Sequence, residues 1–228
     1  MPTIDIVIPA HNASKTLRRC LKSIQAQTFR DYAITVVDDG STDATPGVLK
    51  EFTPEVRIIS QPNRGAAVAR NAGAALGTAP FLIFIDADST LLPQMLEKLH
   101  RLLERTPTAS YAYCSFRFGH KTFRLWEFDS ERLRRMPYIH TTSLLRRRDF
   151  SGFDGQLRRF QDWDLWLTLL EQKKIGVWLP EILFSVRTGG TMSHWLPSFA
   201  YRWPFLSWLP QVEAYRNAKD VIAKKHGL

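Results

Sequence analysis

The stretch Phe81–Thr90, FLIFIDADST, sets two carboxylates directly after an apolar run. Five consecutive apolar residues are typical of a strand that is buried on both faces of a parallel sheet. Asp86 and Asp88 share one face of an ideal strand, because strand side chains alternate. Two carboxylates this close repel each other unless they share a cation or a proton. Their oxygens suit Mg²⁺ or Mn²⁺, although a pair of turn or helix-capping carboxylates explains the same spacing.

Strand and helix patterns alternate from the start of the chain as far as residue 105. Strands are predicted at residues 4–10, 32–39, 56–60 and 81–86, and helices near 17–24, 44–52, 65–77 and 92–105 with Pro93 in the last helix's first turn. This alternation predicts an α/β fold with a mostly parallel central sheet and helices on both faces. Such sheets bind ligands at the carboxyl ends of their strands, which is where His11, Asn12, Asp38, Asp39 and the Asp86–Asp88 pair lie.

The second half of the chain is less regular. Residues 109–118 alternate like a strand, and residues 162–172 form a clear amphipathic helical pattern. Two further strands are predicted, at residues 175–180 and 182–187. Residues 119–140 are polar and basic, and their pattern assigns no element. No internal repeat or linker is visible, so we expect one domain over residues 1–190, followed by an aromatic and basic arm over residues 191–228.

Positive charge and tryptophan are concentrated in the second half. Residues 1–110 contain 12 Lys and Arg against 11 Asp and Glu, whereas residues 111–228 contain 19 against 11 and all seven tryptophans. A basic surface attracts polyanions or an anionic membrane, but scattered arginines are equally typical of a solvated face. No apolar run reaches about 18 residues, so no membrane-spanning helix is expected. Two isolated cysteines and a start without a secretory pattern favour a reducing, cytoplasmic compartment.

Several familiar site types are missing from the sequence. It contains no GxxxxGK[ST] phosphate loop, and no GxGxxG follows the first predicted strand. The six histidines form no HxxxH or HxH pair, and no zinc-ligand set is present. These absences argue against a P-loop nucleotidase, an ordinary dinucleotide-binding enzyme and a zinc hydrolase.

Five motifs in order resemble the family 2 glycosyltransferases of the GT-A fold. They are IVIPAHN, VVDDGSTD, NRGAAVARNAG, FIDADS and FQDWDLWLTL. The resemblance covers about residues 3–190. The resemblance implies a Rossmann-like domain with a nucleotide-sugar half (about 1–108) and an acceptor half (about 109–190). It also implies an inverting transferase that uses a nucleotide-diphosphate sugar, most commonly a UDP-sugar, and a divalent cation, Mg²⁺ or Mn²⁺.

The resemblance assigns a role to each matching position. Pro9, Ala10, His11 and Asn12 line the nucleotide, Asp39 binds the base, and Arg70 supports the nucleotide. Asp86 and Asp88 serve the ribose, the diphosphate and the metal, with Asp88 the main metal ligand. Asp162 is the general base that deprotonates the acceptor hydroxyl, although it also suits the N-cap of the helix that follows. Residues with these roles are Pro9, Ala10, His11, Asn12, Asp39, Arg70, Asp86, Asp88 and Asp162.

The sequence departs from the family pattern at two positions. Gln161 stands where a glutamate is usual, and Thr188 stands where a metal- or phosphate-facing histidine often occurs, with His194 nearby but out of register. The expected acceptor is a cell-surface glycan or a lipid-linked glycan, as in polysaccharide or lipopolysaccharide biosynthesis. Trp195, Trp203 and Trp208 suit contact with an anionic membrane at the inner face of the cell membrane. Packing of the arm over the domain, or a dimer contact, explains them equally.

Two other functions remain open at this point. A basic α/β protein could bind nucleic acid, although no recognised nucleic-acid motif accompanies the arginines, and no nucleic-acid partner is expected. A catalytically weak relative that only binds sugar nucleotides would have the same motifs. The sequence does not specify an oligomeric state.

Overall fold

The fold is built on one mixed sheet of nine strands, in a computed structural model that describes residues 1–187 and 210–228. In chain order the strands are β1 (Ile4–Ala10), β2 (Tyr32–Asp39), β3 (Val56–Gln61), β4 (Phe81–Phe84), β5 (Ser89–Leu91), β6 (Ala109–Phe118), β7 (Lys121–Phe123), β8 (Leu144–Arg146) and β9 (Ile175–Val186). The helices are α1 (Leu17–Gln25), α2 (Thr45–Lys50), α3 (Ala66–Ala75), α4 (Met95–Arg105), α5 (Ser130–Arg135), α6 (Gln161–Glu171) and α7 (Pro210–His226). None of the helices in these ranges is long and apolar enough to cross a bilayer.

The first half forms the parallel part of the sheet, in the order β3-β2-β1-β4. The predicted α/β class with a mostly parallel sheet and helices is confirmed. Helix α3 packs closely on β1, because a Cβ added at Gly73 would lie 2.4 Å from a methyl carbon of Val7. Ala10 of β1 pairs with Asp38 of β2, so the carboxyl ends of these two strands lie side by side.

The second half adds antiparallel strands to the sheet. Strand β8 pairs antiparallel with β4 and with β6, while β6 pairs parallel with β9. The predicted fourth strand is too long at its end: β4 stops at Phe84, and a turn in which Ser89 N donates to Asp86 O leads into β5. Strand β5 then pairs antiparallel with β9. The two aspartates therefore occupy a tight turn between two strands.

The two strands predicted at residues 175–180 and 182–187 are one strand, β9. Pro180 has no N–H to donate to a neighbouring strand, which is why the pattern suggested a break. The pairing avoids this residue by a register shift: Cys114 lies opposite Leu179, and Ser115 opposite Ile182. Pro93 also lies before α4 and not within its first turn.

A buried ion pair joins the beginning of the sheet to its second half. One carboxylate oxygen of Asp5, on β1, accepts hydrogen bonds from Ala79 N at 2.8 Å and from Arg147 Nη2 at 2.6 Å. Arg147 also donates to the carbonyl oxygens of Ala74 and Ala79. The Asp5 side chain is 10% exposed, so its charge depends on Arg147 for compensation.

Asp5→Ala should destabilise the fold, because it leaves the Arg147 guanidinium without its counter-charge in a largely buried place. We expect a loss of about 3 kcal/mol in the free energy of unfolding, measured by urea denaturation. Glu51→Ala, which breaks the exposed ion pair of Glu51 with Arg18, is the control and should leave the midpoint unchanged. Equal midpoints for the two variants would contradict the assigned role of Asp5.

Candidate active site

The two carboxylates after β4 have different environments. Asp86 Oδ1 accepts a hydrogen bond from Arg70 Nη2 at 2.7 Å. Burial alone would raise the pKa of Asp86, but the Arg70 charge brings this pKa below its ordinary value. Asp88 Oδ1 is buried and accepts no hydrogen bond from the described residues. Burial and the Asp86 charge raise the pKa of Asp88 to about 7.

The orphaned oxygen of Asp88 fits a divalent cation. A buried carboxylate next to a second carboxylate lacks positive charge, which a hard cation supplies. In the described ranges no group of three or more His, Cys, Asp or Glu side chains could enclose a metal. Mg²⁺ commonly binds through one or two carboxylates and completes its shell with water and phosphate oxygens. Asp88 and Asp86 are therefore the residues that could hold it.

Arg70 connects the Asp86 turn to helix α6. Its side chain is 6% exposed; while Nη2 binds Asp86, its Nη1 donates to Gln161 Oε1 at 2.7 Å. The Gln161 amide nitrogen donates in turn to the carbonyl oxygen of Leu157 at 2.7 Å. A glutamate at position 161 could accept from Arg70 but could not donate to Leu157. At this departure from the family pattern, both ends of the Gln161 amide are hydrogen-bonded.

Asp162 lies in the first turn of α6, next to Gln161. The helix begins at Gln161, and Phe160 is at the N-cap in the left-handed conformation with a φ of 58°. The alternative prediction, that Asp162 is the N-cap, is therefore wrong. Its carboxylate accepts a hydrogen bond from Trp163 N at 2.9 Å and is partly exposed. Burial raises the pKa of Asp162 above its ordinary value, although the Arg70 charge acts in the opposite direction.

His140 belongs to this cluster and was missed by the sequence reasoning. Its Nε2 lies 3.9 Å from Asp86 Oδ2, and its ring packs against Phe116 and Phe184 with centroid distances of 5.0 and 5.2 Å. Burial lowers the pKa of His140. No sequence signal could have identified it, because it is a single histidine in a segment without a periodic pattern.

The ends of β1 and β2 form the other predicted part of the site. Pro9 and Ala10 end β1, and His11 Nδ1 lies 2.9 Å from the carbonyl oxygen of Asp39. Asn12 has a φ of 50°, and its side-chain oxygen accepts from Thr42 N at 2.8 Å.

The Asp39 carboxylate is already hydrogen-bonded within the protein. It is 3% exposed and accepts hydrogen bonds from Gln61 Nε2, Arg64 N and Gly65 N at 2.7 to 2.9 Å. Asp39 therefore holds the loop before α3, and its contact with a base stays a prediction.

Two further contacts position the loop and helix that carry Asp162. Asn71, next to Arg70, makes a pair of 2.8 Å hydrogen bonds with the backbone N and O of Phe153. Behind the site, Asp164 is 3% exposed and lies 2.8 Å from both Lys225 Nζ and His226 Nε2 of α7. Part of the predicted C-terminal arm is thus a helix docked on α6. Thr188, His194 and the three tail tryptophans lie outside the described residues.

Arg70→Met should destabilise the protein, because it leaves the Asp86 carboxylate without a cation and Gln161 without a donor. We expect a loss of about 3 kcal/mol in the free energy of unfolding, measured in urea. Arg70→Lys keeps the charge but not the two-pronged geometry, so its midpoint should be intermediate. Arg101→Gln, on the exposed face of α4, is the control. A midpoint for Arg70→Met that matches this control would contradict the bridging role.

Comparison with solved structures supports the architecture. TarS of S. aureus (residues 1–349, in complex with UDP-GlcNAc) superposes with a TM-score of 0.72 at 16% identity, over 89% of this chain and 64% of that one. The mannosyltransferase PcManGT from Pyrobaculum calidifontis, in complex with GDP-Man and Mn²⁺, gives a TM-score of 0.69 at 20% identity, over 88% and 60%. At these identities the likeness shows the GT-A fold alone.

Curated relatives are longer proteins. The uncharacterized glycosyltransferase YibD of Escherichia coli (strain K12) is 37% identical over 99 residues, which are 42% of this chain and 29% of YibD. The chondroitin synthase of Pasteurella multocida (strain Pm70) is 29% identical over 187 residues, 76% of this chain and 19% of the synthase. The chain thus spans less than a third of either relative. The family model described as glycosyl transferase family 2 matches residues 5–163, and the chain belongs to this family.

Proposed function

We propose that the chain transfers a sugar, with inversion, from a nucleotide-diphosphate donor to an acceptor hydroxyl, and that it depends on a divalent cation. The observation that carries this proposal is the Arg70 bridge, which brings the Asp86–Asp88 turn and the Asp162 helix to one edge of the sheet. The structural neighbours were solved with UDP, UDP-GlcNAc and GDP-Man, which supports a nucleotide sugar as donor. We infer a UDP-sugar from the family resemblance.

Donor binding is assigned to the carboxyl edge of the parallel strands. Pro9, Ala10, His11 and Asn12 would line the nucleotide, and Asp39 would shape the loop against the base. Asp86 would face the ribose and diphosphate, while Arg70 would hold Asp86 in place from its buried position. Asp88, with Asp86, would hold Mg²⁺ or Mn²⁺. When bound, that cation supplies positive charge that stabilises the diphosphate as a leaving group.

Asp162 would act as the general base. Its carboxylate takes the proton from the acceptor hydroxyl as that oxygen attacks the anomeric carbon from the face opposite the diphosphate. The C–O bond to the acceptor forms while the bond to the diphosphate oxygen breaks, so the configuration inverts. One base suffices, because no covalent sugar–enzyme intermediate is needed.

The composition of the second half of the chain bears on the acceptor and on the location of the enzyme. We infer a glycan or lipid-linked glycan acceptor, because the second half of the chain is basic and aromatic. A peripheral site at an anionic membrane on the cytoplasmic side would suit the same composition. The tail tryptophans on which the membrane contact depends lie outside the described residues, so that contact stays a prediction.

Turnover should require both the cation and the two key acids. We expect release of UDP or GDP from UDP-N-acetylglucosamine, UDP-glucose or GDP-mannose with Mg²⁺ or Mn²⁺, and none with a chelator. Asp162→Asn should lower kcat by about 10²–10⁴-fold because the base is lost, and Asp88→Ala should abolish the metal stimulation. Glu104→Gln, on the exposed face of α4, is the control. Retained activity in either acid variant would remove that residue's assignment.

Calorimetry separates the remaining alternatives. Metal-dependent binding of UDP favours the transferase or a sugar-nucleotide-binding relative, and turnover then distinguishes these two. Tight binding of a short duplex without affinity for UDP would identify a nucleic-acid-binding module instead.

The rate should fall in acid with a midpoint above the ordinary carboxyl value. A general base works only when deprotonated, and the pKa of Asp162 is raised above 3.8. Activity should therefore be present above this raised pKa and be lost as the pH falls through it. The measurement is kcat at saturating donor and cation against pH, with circular dichroism at each pH. A constant rate down to the pH at which the fold melts would contradict Asp162 as the base.

A further inference from the structure

The turn before β8 fixes both the orientation and the protonation pattern of the His140 ring. Thr142 N donates a hydrogen bond to His140 Nδ1 at 3.0 Å. A backbone N–H can only donate, so Nδ1 must be the unprotonated nitrogen, and the proton of the ring lies on Nε2. Ser143 Oγ donates to the His140 carbonyl oxygen at 2.7 Å and further restrains the turn.

The Nε2–H of His140 has no acceptor among the described residues. Its nearest carboxylate oxygen, Asp86 Oδ2, is 3.9 Å away, which is beyond hydrogen-bonding distance. The other Asp86 oxygen is held by Arg70. The His140 side chain is 18% exposed, and its ring makes tilted contacts with Phe116 and Phe184. The Nε2–H of His140 is therefore a hydrogen-bond donor of fixed orientation that a ligand can use.

The strand pairing places this hydrogen-bond donor close to Asp86, at the end of β4. Strand β8 runs antiparallel to β4, with Leu144 opposite Ile83, so residues just before β8 lie beside the end of β4. The charges of both Asp86 and Asp162 act on the His140 ring. Under the proposed function, Asp86 faces the ribose and diphosphate, and Asp162 faces the acceptor hydroxyl. The group that lies between these two is the sugar being transferred.

We propose that His140 Nε2–H donates a hydrogen bond to a hydroxyl of the transferred sugar. This inference rests on the proposed function and adds a residue that recognises the sugar part of the donor, as distinct from its nucleotide. The bond selects for a sugar with an acceptor oxygen at that position, because a sugar without it leaves the fixed donor unpaired on binding.

Two amide substitutions test the two ring nitrogens separately. In His140→Asn the side chain can still accept from Thr142 N but does not reach the position of Nε2. In His140→Gln the amide nitrogen reaches that position. Calorimetry in Mn²⁺ should measure the dissociation constants of UDP, UDP-N-acetylglucosamine and UDP-glucose for the wild type and both variants, with thermal melts as a check of folding.

His140→Asn should weaken the nucleotide sugar about fivefold to tenfold, as expected for one hydrogen bond, and leave UDP within twofold. His140→Gln should stay within about twofold of the wild type for both ligands. The proposal is wrong if His140→Asn weakens UDP and the nucleotide sugar equally, or weakens neither. It is also wrong if His140→Gln loses as much affinity for the nucleotide sugar as His140→Asn does. If the wild type binds UDP-sugars and turns them over, those results sink this inference alone, whereas a wild type that binds no donor removes the proposed function as well.

A second measurement does not depend on folding of the asparagine variant. Deoxy analogues of UDP-glucose, each lacking one sugar hydroxyl, are bound to the wild type and to His140→Gln. One analogue should bind about fivefold more weakly than UDP-glucose to both proteins, because it lacks the hydroxyl that accepts the hydrogen bond from the side chain at position 140. If every deoxy analogue binds like UDP-glucose, no sugar hydroxyl pairs with His140 and the proposal is wrong.

Discussion

The placement of the Arg70 guanidinium is the constraint on which the site depends. A single buried cation binds Asp86, at the end of a central strand, and Gln161, at the start of the helix that carries Asp162. Without it, a buried carboxylate would lose its counter-charge, and the two halves of the site would lose their shared contact. Arg70 hydrogen-bonds to Asp86, whereas the buried Oδ1 of Asp88 accepts no hydrogen bond from the part of the chain that the structure describes. Of two acids that are two residues apart, one thus has a counter-charge within the protein, and we propose that its neighbour receives one from the bound cation.

Much of the first half could be predicted from sequence, because its elements are long and periodic. The run Phe81–Ile85 and the carboxylates after it were enough to place a buried strand and an acidic turn at the carboxyl edge. Asp39 and Arg70 were also identified, but their geometry was not. The sequence cannot show that Asp39 has three hydrogen-bond donors from its own chain, or that Arg70 is buried, because both facts depend on residues that come together only on folding.

The second half was harder to predict for physical reasons that differ between residues. Strands of three residues, such as β7 and β8, carry no periodicity, and Pro180 mimics a strand break that a register shift accommodates. Gln161 departs from the family pattern, and only the structure shows that its amide both accepts from Arg70 and donates to Leu157. His140 becomes part of the site only through the antiparallel pairing of β8 with β4. The positions of these residues depend on contacts between segments distant in the chain, which local secondary-structure preferences do not reveal.

The Asp5–Arg147 pair has a consequence for how such domains can recombine. The two halves of the chain, which the sequence divides near residue 108, look like exchangeable modules. Yet an acid from the first strand is neutralised by a base more than a hundred positions later, inside that supposed second module. Consider a chimera of this first half and the second half of a relative. The buried Asp5 carboxylate would lose its counter-charge, unless the relative also has an arginine at the position that corresponds to Arg147.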